Sequence, residues 1–146
     1  MDDLKLELHD RWDSEEAKTI LNNLRAYNME KTGITEPPRD LTVTLKDGEG
    51  RMAGGLTGHT AWGWLFVKLF WVSETHRGQG LGTRLLEAAE REARARGCEH
   101  VWLDTFSFQA RGFYEKHGYR IFGTLDDYPR GHRRHFLHKK LEGNNK

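Results

Sequence analysis

Apolar and polar residues alternate in some stretches of this chain and recur every three or four positions in others. Leu4-Lys5-Leu6-Glu7-Leu8 alternates and predicts a first, half-exposed strand. Asp13 predicts a helix cap, with Glu16 completing a capping box. Ala17, Ile20, Leu21 and Leu24 then form one apolar helical face that runs to about Tyr27 or Met29. Gly33 and Pro37-Pro38 interrupt regular structure. Leu41 to Leu45 alternates again, Asp47-Gly48-Glu49-Gly50 signals a hairpin, and Arg51 to Thr60 returns antiparallel. Trp62 to Val72 is one long strand rich in aromatic and β-branched residues, whose alternation puts Trp62, Trp64, Phe66 and Phe70 on one face. Leu81, Leu85, Leu86, Ala89 and Ala93 make the apolar stripe of a second helix that Gly97 ends. Glu99 to Asp104 reads as a strand parallel to the long one, because a helix lies between them. Ser107 predicts the cap of a third helix carrying Ala110, Phe113 and Tyr114 inward, and Tyr119–Phe122 and Arg133–Leu141 are two last strands. The order is mixed α+β.

The chemistry concentrates between the long strand and the second helix. Arg77-Gly78-Gln79-Gly80-Leu81-Gly82-Thr83 removes side chains at alternate positions just where a helix begins. Free N–H groups at a helix start and the helix dipole form an anion site, and Arg77 adds a permanent charge. A Walker loop is excluded because no lysine follows the glycines, and a Gly-x-Gly-x-x-Gly dinucleotide fingerprint fails at its third glycine. What remains is Arg-Gly-x-Gly-x-Gly after an apolar strand.

That loop resembles the coenzyme A loop of the GNAT acetyltransferase superfamily. Phe108-Gln109-Ala110-Arg111-Gly112-Phe113-Tyr114, followed by Gly118-Tyr119, resembles the superfamily's later motif. The resemblance covers nearly the whole chain. It implies a GNAT acyl-CoA N-acyltransferase fold, a mixed central sheet with splayed parallel strands flanked by helices. It implies acetyl-CoA as cosubstrate, with pantetheine bonded to the backbone of Trp71 and Val72 in the splay. Pyrophosphate is expected on the amides from Gln79 to Thr83, beside Arg77 and Gly78. Gln109 and Phe113 are further expected contacts, and Tyr114 is the expected catalytic group that protonates the departing thiolate. The family's frequent asparagine after the fifth strand is replaced here by Thr105-Phe106-Ser107. The implied reaction is direct N-acetylation of a primary amine, most simply of a small molecule. No base is assigned among Lys68, Glu74, His76, Asp104, His135 and His138. Residues 30–40 are either a plain connection or part of the acceptor wall. Two other readings stay open: a non-catalytic acyl-CoA-binding module, and a nucleotide-binding α/β domain with Asp104 as its ribose acid.

Composition narrows the setting. The chain has 146 residues, so residues 1–142 are read as one domain with a frayed 143–146 tail. A net charge of +1 argues against a broad nucleic-acid footprint, and the run from His132 to Lys140 reads as a solvated strand edge. The single cysteine, Cys98, forms no internal disulfide and reads as a half-buried residue after a helix. No metal site is expected. The apolar run at Leu65–Val72 is too short to span a membrane, and the acidic N-terminus shows no signal-peptide pattern, so a cytoplasmic monomer or homodimer is expected.

Overall fold

The computed structural model describes residues 3–143, and all but the first residue of the tail expected at 143–146 lies outside them. The chain divides into two units between Glu36 and Pro37.

In the first unit, α1 (Glu15–Thr32) starts one residue later than its pattern suggests. Ser14 is extended and accepts the Ala17 N–H at 3.1 Å, so Ser14 rather than Asp13 is the cap. Gly33 ends the helix in the left-handed region, φ +73°, with its N–H on the Met29 carbonyl. Leu4–Leu8 forms no strand. Alternation marks a face that favours burial, but a strand also needs a partner for its backbone, and no ladder includes this segment.

The second unit is a six-stranded sheet in the order β1-β2-β3-β4-β6-β5. Its strands are β1 (Arg39–Lys46), β2 (Met52–Ala61), β3 (Trp64–Val72), β4 (His100–Phe106), β5 (Arg120–Asp126) and β6 (Arg133–Lys140). Helix α2 (Leu81–Ala95) links β3 to β4, and α3 (Arg111–Lys116) links β4 to β5. Asp47 builds the β1–β2 turn by accepting the N–H groups of Glu49 and Arg51, which holds its carboxyl below the usual range. Trp62 and Gly63 form a two-residue turn with φ of +54° and +81°, so Trp62 belongs to the turn and β3 starts at Trp64. The end of α2 is a Schellman motif: Gly97 N–H bonds Arg94 and Cys98 N–H bonds Ala93. Cys98 is buried, and burial raises its thiol pKa.

Only β3 and β4 are parallel, as the helical crossover requires. β6 inserts between β4 and β5, so the expected solvated edge is an interior strand whose His135 and Leu137 are buried. Helix α2 lays Leu86, Ala89 and Ala93 against Leu56, Leu65, Val101 and Leu103. Leu86 is fully enclosed, and cutting it to alanine costs about 2–5 kcal/mol for a site of this kind. Glu90, on the buried face of α2, takes the Tyr119 hydroxyl at 2.6 Å and the Lys139 ammonium at 3.1 Å. This tie joins α2 to β6 and to the end of α3.

Candidate active site

The site begins with a gap in the sheet. β3 and β4 pair from Trp64↔His100 to Val67↔Leu103 and then separate, although β3 continues to Val72 and β4 to Phe106. The cause lies on the other edge of β3. Against β2 the register passes from Gly58↔Val67 to Thr57↔Leu69, which leaves Lys68 as the extra residue of a bulge. A bulge bends its strand and raises its twist, and here it turns β3 away from β4. Gly58 is what permits it, because a Cβ there would lie 2.0 Å from the Phe66 carbonyl oxygen. The bulge also reverses the alternation. Trp64 and Phe66 keep one face, while Phe70 passes to the other and packs on Phe113 and Tyr114. The shared face expected for Phe70, Phe66 and Trp64 is therefore broken at Lys68.

Past the bulge, the backbone offers groups to the gap at alternate residues. Ser73 donates its N–H to Ala53, so Trp71, two residues earlier, also turns its backbone toward β2. Val72 and Phe70 turn theirs toward the gap. The Val72 carbonyl accepts from Arg77 Nε at 3.1 Å, so Arg77 folds back over the strand end. Glu74–His76 forms a single 3₁₀ turn, in which His76 Nδ1 lies 2.6 Å from the Ser73 hydroxyl.

The glycine loop then delivers the start of α2. Gly78 and Gly80 have φ of +80° and +77°, the left-handed conformation that favours glycine. Gly80 caps α2 without a side chain, and Gln79 sits exposed between the two. The first helical bond at this end runs from Arg84 N–H to the Gly80 carbonyl, so the N–H groups of Leu81, Gly82 and Thr83 precede the helical ladder. Gly82 has another role. A Cβ there would lie 3.3 Å from Phe113 Cζ, so its absence lets α3 approach the start of α2. Thr83 Oγ1 meets His117 Nε2 at 3.0 Å and fastens the same junction.

On the far side of the gap, α3 is shorter than expected and is not capped by Ser107. Ser107 Oγ accepts the Arg133 N–H instead, and α3 begins at Arg111. Gln109 Oε1 accepts from the Thr105 hydroxyl and the Phe106 N–H, closing the turn before the helix. Phe113 stands between Phe70 and His117. Tyr114 is buried among Phe70, Phe113 and Tyr119, and burial together with the Asp104 charge pushes its hydroxyl up to about 12.

Asp104 is the first β4 residue beyond the paired stretch. Its two oxygens receive Arg134 Nε and Nη2, each at 2.9 Å, and the guanidinium lies against the rings of Phe106, Tyr128 and Phe136. This pair was not readable along the chain, because only the β4–β6 register brings residues 104 and 134 together. His135 is buried against Thr124, and His138 stands on the aromatic face opposite the helices. Among the described residues no group of histidine, cysteine and carboxylate side chains is arranged to hold a metal ion. Likewise, no described helix is long and apolar enough to cross a membrane.

A parallel pair of strands that opens beside a glycine-cradled helix start defines an acyltransferase fold of the GNAT type. The chain belongs to the GNAT acetyltransferase family, whose model matches residues 2–119. It is 41% identical over 134 residues to acetyltransferase Atu2258 of Agrobacterium fabrum, covering 92% of this chain and 97% of that one. It is 44% identical over 116 residues to a blasticidin-S acetyltransferase of Streptomyces morookaense, covering 77% and 85%. A crystal structure of an Agrobacterium tumefaciens acetyltransferase superposes with a TM-score of 0.86 at 39% identity, covering 94% of this chain and 100% of that one.

Proposed function

We propose that this acetyltransferase moves acetyl from acetyl-CoA directly to the primary amine of a small molecule. The observation that carries the reading is the gap beyond Val67 and Leu103, bordered by the free amides at the start of α2 and by Tyr114. In this reading the N–H groups of Leu81, Gly82 and Thr83 take the pyrophosphate, with Arg77 beside them. Pantetheine lies along the β3 edge that presents Val72 and Phe70. The small-molecule acceptor is supported by the relative named for blasticidin-S.

The chemistry is one substitution at the thioester carbonyl. The neutral amine nitrogen forms the new C–N bond, the C–S bond breaks, sulfur leaves with the electron pair as thiolate, and the proton shed by nitrogen passes to solvent water. Tyr114 donates a hydrogen bond to the sulfur as charge grows there. A hydroxyl at about 12 faces a thiol near 8.5, a difference of about 3.5 units. Full transfer from Tyr114 to a free thiolate is therefore uphill, and its contribution is the hydrogen bond that strengthens during bond breaking. The test is thiol release from acetyl-CoA over an amine panel. Turnover is expected with at least one amine, and Tyr114→Phe should cut kcat about 10²–10⁴-fold with coenzyme A affinity unchanged. Binding of acetyl-CoA without thiol release for any amine would contradict the reading.

A further inference from the structure

The face of the sheet opposite α2 is lined with aromatic rings. Trp64 stacks on His100 at 4.5 Å, and Phe66 stacks on Trp102 at 4.2 Å. Across β6 and β5 the rings of His138 and Phe122 meet edge to face at 5.1 Å. Trp64, Trp102, Phe122 and His138 line an open, shallow depression of about 460 Å³, a volume within the range of small-ligand sites. Phe122 is 59% exposed. It is the extra residue of a bulge in β5, which places its ring at this rim.

One step along β4 from the lining residue Trp102 stands a carboxylate. Asp104 follows Trp102 by two residues on the same face of β4, a step of about 6.8 Å along the strand. Its oxygens are fixed by Arg134, yet each carboxylate oxygen has a second lone pair. Asp104 also stands where β4 leaves β3, so an amine bound to it lies at the mouth of the gap. Burial first, and then the Asp104 charge, raise the pKa of the Tyr114 hydroxyl.

We propose that this face is the acceptor site and selects a small primary amine with a flat, apolar body, its ammonium held by Asp104 until it gives a proton to water and attacks as the neutral amine, and its flat body lying between Trp102 and Phe122. The proposal names the acceptor class for the amine-transfer reading and rests on it. Arg134 is a positioning residue that presents the carboxylate; with both of its contacts engaged, Asp104 serves as an anchor. The lining explains the shape selected: aromatic stacking favours a planar partner by roughly 0.5–1.5 kcal/mol, about twofold to thirteenfold.

Binding without turnover tests this apart from catalysis. Phenethylamine, hexylamine and the uncharged 2-phenylethanol are titrated calorimetrically into the full chain saturated with coenzyme A. Phenethylamine should bind several-fold tighter than hexylamine. Phe122→Ala, at an exposed position that leaves the core intact, and Trp102→Leu should remove that preference. Asp104→Asn should weaken both amines by about tenfold or more and leave 2-phenylethanol unchanged. Equal affinity for the two amines, an unaltered preference in Phe122→Ala, or no measurable binding of either amine overturns the proposal. If this binding pattern appears while no amine releases thiol, amine transfer is overturned and the binding site stands.

Discussion

Tyr114 shows how one side chain's environment sets its chemistry. An ordinary tyrosine ionises near pH 10, but burial and the Asp104 charge hold this hydroxyl protonated to about 12. It therefore remains a donor across neutral and mildly alkaline pH, and any alkaline loss of kcat that it causes should lie near 12. A pH–rate profile whose Tyr114-dependent limb fell near 10 would contradict this environment. The same shift links to stability. Between the unfolded value and the folded one, the native chain keeps a proton that the unfolded chain has released, so stability falls as pH rises from about 10 to about 12. Tyr119, bonded to Glu90, is shifted upward as well and acts with the same sign. Tyr114→Phe should flatten part of that alkaline decline in melting temperature. Glu90 poses the opposite problem, a carboxylate 7% exposed whose charge is balanced by Lys139. Lys139→Met leaves it unbalanced and should cost about 3 kcal/mol, measured by urea denaturation. An unchanged midpoint would show that the pair contributes nothing.

At the scale of elements, two glycines that look alike in sequence act differently. Gly80 holds a left-handed turn, and alanine there should cost about 1–2 kcal/mol and disturb the amides that the proposed function gives to phosphate. Gly82 instead makes room for Phe113, so Gly82→Ala should displace α3 and with it Tyr114. We expect Gly82→Ala to lower kcat more than coenzyme A affinity, and Phe113→Leu to restore part of the loss. Equal damage to coenzyme A binding and kcat, with no rescue, would show that the missing side chain at Gly82 serves the phosphate rather than Phe113. The bulge at Lys68 is a third such device. Gly58→Ala cannot be accommodated 2.0 Å from the Phe66 oxygen, so it should either straighten the β2–β3 pair or lower the melting temperature strongly.

These devices also explain what could be read from the chain. The glycine loop, the α2 stripe and the parallel β3–β4 pair were legible because each depends on residues near in sequence. The face of Phe70 was not, since one extra residue at Lys68 inverts every side chain after it, and a bulge has no period to detect. Ser107 fits a helix cap as well as it fits its actual partner, the Arg133 N–H, which lies on another strand. Leu4–Leu8 has the pattern of a strand without the ladder.

In the molecule as a whole, three elements meet at one place: the bent edge of β3, the start of α2, and Tyr114 of α3. Asp104 and Arg134 close the other side of the gap. The family assignment sets the type of reaction, and the proposed function locates it at this arrangement. The most direct measurement is residue-resolved amide hydrogen exchange with and without acetyl-CoA. The account predicts added protection at Phe70 and Val72 on β3 and at Leu81, Gly82 and Thr83 on α2, with β1 and β5 unchanged. Protection confined to other elements, with exchange at those five amides unaltered, would contradict it.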